Sequence, residues 1–184
     1  MEIPLHDDKY EIAIFAGGCF WCMEPPFDKL EGVISTTVGY CGGKEEYPTY
    51  HAVASGRTGH AESILIKYDP KKIRYEKLLE TFWHNINPTQ KNGQFYDRGP
   101  QYRTAIFYLN EEQKKAAEKS KQELEKSGKF KEPIVTEIVP ATKFWRAEEY
   151  HQDYYKKEPD HYLRYKRASG REDFKKKVWG NTSE

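Results

Sequence analysis

Residues 11–22 read Glu11-Ile12-Ala13-Ile14-Phe15-Ala16-Gly17-Gly18-Cys19-Phe20-Trp21-Cys22. The apolar stretch from Tyr10 to Ala16 has the alternation of a strand, and the two glycines end it. A thiol therefore sits where the strand stops, with two large aromatics after it and a second thiol three residues on. An isolated cysteine in such a place is as often a small core residue as a reactive one. Phe20, Trp21 and Cys22 tip the reading toward redox chemistry, because residues adjoining a nucleophile line the pocket it serves. The thiolate is the reactive form, and a helix N-terminus or a nearby proton donor favours it.

Working outward, Pro25-Pro26-Phe27-Asp28-Lys29-Leu30 predicts a short helix starting near Pro25, where a missing amide proton is harmless. Val33 to Tyr40 is rich in β-branched residues and predicts a second strand. A glycine-rich loop from Cys41 to Gly59 leads to a strand from His60 to Tyr68. Arg74 to Ile86 is an amphipathic helix, with Leu78, Leu79, Phe82, Trp83 and Ile86 on one face. A loop with Asn87-Pro88, Asn92-Gly93 and Gly99-Pro100 precedes a strand from Tyr102 to Leu109. This order is βαββαβ, the ferredoxin-like unit. The expected class is α+β, a two-layer sandwich around that core. Glu111 to Ser127 reads as a charged helix ended by Gly128, and Ile134 to Val139 as a further strand. Beyond Pro140 no strong period appears until Asp173 to Trp179, so an irregular C-terminal wrap is expected within one domain spanning residues 1–184.

The chain has 184 residues and a net charge of +1, which gives no overall pull toward nucleic acid or membrane. Its three cysteines fall within the first 41 residues, unlike a secreted disulfide framework, and a reducing cytoplasm fits them. The N-terminus lacks a signal-peptide pattern, and no apolar run reaches the roughly 18 residues of a membrane span. A monomer is expected.

Polar candidates cluster beside turns. Tyr50 follows Pro48-Thr49. Glu62 leads into Ser63-Ile64-Leu65-Ile66, where desolvation would keep its carboxyl protonated and able to donate. Asp97 and Tyr102 lie just before the next strand. His51, His60 and His84 lack ligand-like spacing. The basic stretch Arg164–Lys177, interrupted by Glu172 and Asp173, reads as a solvated face. A Cys₃His zinc site using Cys19, Cys22 and Cys41 is the competing reading, weakened by the absence of a second ligand pair. A thioredoxin-type dithiol oxidoreductase is another, and it would not need Tyr50, Glu62 and Tyr102.

Gly18-Cys19-Phe20-Trp21, Gly39-Tyr40, Pro48-Thr49-Tyr50, Ser55-Gly56-Arg57-Thr58-Gly59-His60-Ala61-Glu62, Tyr68-Asp69-Pro70, Asn87-Pro88-Thr89-Gln90, Gln101-Tyr102-Arg103 and His151-Gln152-Asp153-Tyr154 occur in order. Over residues 10 to 155 the chain resembles the peptide methionine sulfoxide reductases of type A. The resemblance implies that Cys19 attacks the sulfoxide sulfur, that Glu62 protonates its oxygen and that Tyr50 and Tyr102 hydrogen-bond it. It implies that Phe20 and Trp21 hold the substrate methyl group, that Asp97 orients the substrate, and that no cofactor is needed. The implied substrate is the S epimer of free and protein-bound methionine sulfoxide, with thioredoxin, or dithiothreitol in its place, as reductant. Many members carry resolving cysteines in a C-terminal tail, whereas no cysteine follows Cys41 here. Cys22, at C-x-x-C spacing, is the preferred resolving thiol, with Cys41 or an external thiol as the alternatives.

Overall fold

The computed structural model describes residues 1–180. A short strand β1 (Glu2–Ile3) precedes β2 (Glu11–Gly17), α1 (Phe20–Asp28), β3 (Val33–Cys41), α2 (Tyr50–Ala54), β4 (Ala61–Tyr68) and α3 (Tyr75–His84). A small ribbon of β5 (Gly93–Gln94) and β6 (Asp97–Arg98) leads through a 3-10 turn at Pro100–Tyr102 into β7 (Thr104–Tyr108). The chain continues with α4 (Glu111–Lys126), β8 (Glu137–Pro140), β9 (Phe144–Arg146), α5 (Tyr154–Lys157), α6 (Pro159–Ser169) and α7 (Arg171–Trp179).

The main sheet has the order β1-β9-β3-β4-β2-β7-β8. Its four middle strands, β3-β4-β2-β7, are antiparallel neighbours joined through α1 and α3, which is the ferredoxin-like arrangement expected from the element order. β8 adds to β7 in parallel, and β9 with β1 extends the other edge. Six of the seven residues of β2 are buried, as a central strand covered on both faces must be.

Alternation along the strands divides the core. Ala13 and Phe15 of β2, with Ile64 and Ile66 of β4, face the layer of α1 and α3, where Met23, Phe27, Leu78 and Phe82 meet them. Ile12, Ile14 and Ala16 face the other way, toward Leu65, Ala105, Phe107 and Phe144. Phe82 has no solvent exposure, and its ring stacks on Phe15 at 4.9 Å. Phe82→Ala is expected to destabilise the fold by about 3–5 kcal/mol, seen as a lower urea midpoint at unchanged slope.

Several segments differ from the sequence reading. The first helix begins at Phe20, five residues before Pro25, and carries both prolines inside it. Prolines there remove two amides from the ladder. Burial of Phe20, Met23 and Phe27 offsets that loss. The loop after β3 contains α2, capped by the Thr49 hydroxyl, which accepts from the Ala52 amide at 3.1 Å. β7 starts at Thr104 because Pro100–Tyr102 forms a tight turn first. The C-terminal wrap is helical rather than irregular: α6 buries Tyr162 and Ser169, seven residues apart and on one face. Polar and tyrosine-rich helices of this kind give a weak apolar period. Among the described residues no helix is long and apolar enough to cross a membrane.

Candidate active site

The strand-to-helix turn sets the position of Cys19. Gly18 has φ +86°, and a Cβ there would lie 2.6 Å from Cβ of Gln94. Only glycine fits both the conformation and the space. Cys19 is then the residue at the N-cap of α1, 6% exposed, so its sulfur sits at the positive end of the helix.

Glu62 is the second residue of β4, opposite Tyr40 of β3. Strand alternation sends it to the same side as Ile64 and Ile66, toward α1. Its Oε1 accepts from the Phe20 amide at 3.1 Å, satisfying one of the free first-turn donors. The carboxyl is 1% exposed. Burial pushes its pKa up to about 8, against the opposing pull of the Phe20 hydrogen bond; negative charge at Asp97 and Cys22 adds to the rise.

Tyr50 opens α2 and is half-buried, its amide donating to Glu148 Oε2 at 2.9 Å. Tyr102 ends the turn before β7. Burial, then the nearby Glu62, pushes both phenols above their ordinary range, so each stays a neutral donor or acceptor. Asp97 of β6 accepts a hydrogen bond from the Tyr165 hydroxyl of α6. Burial raises its pKa, partly opposed by that bond and by Arg171.

Phe20 packs against Tyr40, Tyr50 and His151. Trp21 stacks flat on Tyr154, with ring centroids 4.0 Å apart, and meets Tyr165 edge-on at 5.7 Å. Its indole Nε1 donates to His151 Nδ1 at 3.0 Å. His151 is fully buried, and desolvation pushes its pKa down to about 4, so the ring is neutral. With Nδ1 accepting, Nε2 carries the hydrogen. The seven residues expected around the sulfoxide, Cys19, Phe20, Trp21, Tyr50, Glu62, Asp97 and Tyr102, thus gather at one end of the sheet.

Sequence reasoning passed over the residues that hold these in place. Gln152 bonds both backbone groups of Val38 at 2.9 Å, acting as a stand-in strand beside β3. Glu148 accepts from the Tyr40 hydroxyl as well as from Tyr50. Arg171 and Tyr165 belong to the basic stretch read as a solvated face, yet Arg171 is 4% exposed and Tyr165 reaches Asp97. The His151-Gln152-Asp153-Tyr154 motif carried a signal; single charged residues in α6 and α7 carried none.

The thiols divide into a pair and a single. Cys22 lies in the first turn of α1, its amide donating to the Cys19 carbonyl at 3.1 Å. The Cys19 thiol is pushed well up by burial and then by Cys22, whereas Cys22 is drawn down by the neighbouring Cys19 and by the charges of Arg171 and Lys166, against burial. Cys41 ends β3 within the strand, not in a mobile loop. It belongs to the cluster of Phe107 and Phe144 on the opposite face, its sulfur 3.6 Å from the Thr142 carbonyl. A Cys₃His set is therefore not assembled. Among the described residues the potential ligand atoms that do converge belong to Glu24, Asp28 and Asp153. These are held by the Thr36 and Tyr155 hydroxyls and the Asp153 amide, and they tie α1 to β3 and α5.

The peptide methionine sulfoxide reductase family model matches residues 11–183. A protein of Bacillus licheniformis, peptide methionine sulfoxide reductase MsrA, is 54% identical over 173 residues, covering 94% of this chain and 96% of its own. The MsrA of Bacillus subtilis is 55% identical over 173 residues, covering 94% and 98%. Among solved structures, reduced Mxr1 from Saccharomyces cerevisiae is 34% identical with a TM-score of 0.79, covering 84% of this chain and 90% of that one. Methionine sulfoxide reductase A of Corynebacterium diphtheriae is 31% identical with a TM-score of 0.74, covering 85% and 78%. The fold and the site, a buried thiol beside a buried carboxyl and an aromatic wall, agree with the reductase class of these relatives. The chain belongs to the peptide methionine sulfoxide reductase family, and it is an enzyme of the peptide-methionine (S)-S-oxide reductase type.

Proposed function

We propose that Cys19 attacks the sulfur of a methionine sulfoxide whose methyl group rests against Phe20 and Trp21. The supporting observation is the buried Glu62 carboxyl, bonded to the amide next to Cys19 and holding its proton to about pH 8. A sulfoxide oxygen leaves poorly unless protonated, so a neutral acid beside the nucleophile is the group the reaction needs. Glu62 gives its proton to that oxygen while the hydroxyls of Tyr50 and Tyr102 hydrogen-bond it. Asp97 orients the substrate. The Cys19 thiol proton passes to the emptied Glu62 carboxylate, methionine departs with the electron pair on its sulfur, and the protonated oxygen stays on Cys19 as a sulfenic acid.

Cys22 then attacks the sulfenic sulfur. An S–S bond forms, the S–O bond breaks, and the oxygen leaves as water with a proton returned through Glu62. Its place in the first turn of the helix that Cys19 caps, with its amide bonded to the Cys19 carbonyl at 3.1 Å, supports Cys22 over Cys41, which faces the other side of the sheet. An external dithiol reduces the disulfide. Thioredoxin suits this in a reducing cytoplasm, and dithiothreitol serves in the tube. The substrates are the S epimer of free and protein-bound methionine sulfoxide.

Supplying each sulfoxide epimer separately with dithiothreitol tests the reading, and consumption of the S epimer alone is expected. Equal consumption of both, or of neither, would overturn it. Peptide mapping after one turnover without reductant is expected to find a Cys19–Cys22 disulfide that survives Cys41→Ser and vanishes in Cys22→Ser. A disulfide still closing in Cys22→Ser would transfer the resolving role to Cys41.

A further inference from the structure

Arg171 opens α7 and turns inward beneath the catalytic turn. Its Nη2 donates to the Gly17 carbonyl at 3.0 Å, and Nη1 reaches the Asn85 carbonyl and the sulfur of Met23. The guanidinium also lies over the Phe95 ring at 4.8 Å. It is 4% exposed, and Nε has no hydrogen-bond partner. No carboxylate forms an ion pair with it among the described residues. A buried cation without a counter-ion is costly enough that structures pair it. Carbonyl dipoles and one aromatic face compensate a full charge only in part.

The missing anion has a candidate in the same cavity. A recess of about 220 Å³ has Cys22, Tyr162, Lys166, Arg171, Glu172 and Lys175 among its lining residues. The charges acting on Cys22 are mainly positive: Arg171 of α7 and Lys166 of α6 draw its thiol toward the ionised form, against burial and against Asp97. Cys19 adjoins it at the N-cap, its carbonyl accepting from the Cys22 amide at 3.1 Å, and Glu62 feels the charge of Cys22 from β4. Lys166 itself is partly exposed and pairs with Glu172 at 3.0 Å, so its charge is shared and screened. Arg171 is the buried one, with no ion pair, although Asp97 of β6 also feels its charge.

We propose that Arg171 is the positioning residue of the resolving step, the counter-ion that holds Cys22 as a thiolate facing the oxidised Cys19. This rests on the reading of Cys22 as the resolving thiol. The C-terminal helices of this chain, which contain no cysteine, would then serve resolution through charge: α7 inserts an arginine behind the thiol supplied by α1. The attack is the one written above, with the Cys22 sulfur oxidised and the Cys19 sulfenic sulfur reduced as water leaves.

A single turnover without reductant separates the steps. The enzyme is mixed with methionine sulfoxide and quenched at intervals, and released methionine, free thiols and sulfenic acid trapped by a dione are counted from pH 6 to 9. In Arg171→Gln, which keeps amide donors and loses the charge, disulfide closure is read against the same variant's own methionine burst, and closure is expected to fall by far more than the burst. Thiol loss at pH 7 should slow roughly tenfold, sulfenic acid should accumulate, and the pH midpoint for disulfide closure should move up by about one unit. Arg171→Lys, which restores the charge, should recover most of the rate. Closure in Arg171→Gln at the wild-type rate and pH midpoint would overturn the assignment, provided Cys22→Ser fails to close. Closure in Cys22→Ser would instead remove the resolver reading on which it rests. Loss of the methionine burst in both arginine variants would make Arg171 a clamp on Gly17 and Asn85 only, and would equally overturn it.

Discussion

Cys19→Ser is expected to lower turnover of methionine sulfoxide by roughly 10⁴-fold or more, to the level of the uncatalysed reaction with dithiothreitol. A serine hydroxyl is a far weaker nucleophile toward sulfur at neutral pH, and it has no sulfenic state through which oxygen could be taken away. The side chains differ by one atom, so the N-cap geometry and the Phe20–Glu62 hydrogen bond should persist. Methionine release in a single turnover, with no reductant, isolates the first step from recycling. A variant keeping a tenth of wild-type release would remove Cys19 as the nucleophile. Loss in Cys19→Ser together with an intact burst in Cys22→Ser would separate the attacking thiol from the resolving one.

Glu62→Gln is expected to slow the chemical step by about 10²–10⁴-fold with a smaller change in substrate binding. Glutamine keeps an oxygen for the Phe20 amide but has no acidic proton for the sulfoxide oxygen. With the wild-type pKa near 8, the rate should decline as pH rises through 8, and that limb should be missing in the variant. Stability should depend on pH as well. The folded carboxyl keeps its proton while an unfolded glutamate loses it above about 4.5. The unfolded state therefore binds fewer protons between those values, and stability falls as pH rises across the window. Glu62→Gln removes that dependence, and at pH 7 the variant should be more stable, by something on the order of 2 kcal/mol. Thermal melts at pH 5 and pH 8 check this: the two proteins should diverge at pH 8 and converge at pH 5. A variant less stable than wild type at pH 8 would show that burial does not raise the Glu62 pKa in the folded protein.

Much of the architecture was legible because it depends on short-range periodicity. The amphipathic spacing of Leu78, Leu79, Phe82 and Trp83 foretells α3, and the β-branched run after Val33 foretells β3. Their order with β2, β4 and β7 leaves few ways to close a sheet. The exceptions mark where tertiary contacts outweigh local preference. The two prolines argued for a helix beginning at Pro25, but burial of Phe20 and Met23 and the carboxyl of Glu62 at the first turn draw it back to Phe20. Arg164–Lys177 looks solvated by composition, and most of its charges are. Arg171 is the exception, because the left-handed Gly170 turns α7 back so that its first residue points under β2.

The family, the order of the core elements and the thiol at a strand end followed by two aromatics are each written in neighbouring residues. That Glu62 faces Cys19 while Cys41 faces away, and that an arginine of α7 lies in the same recess as Cys22, follow from the folded arrangement. Those relations depend on which side of a pleated sheet a residue occupies and on contacts spanning up to 154 positions. One step along a strand reverses the first, and no local pattern encodes the second.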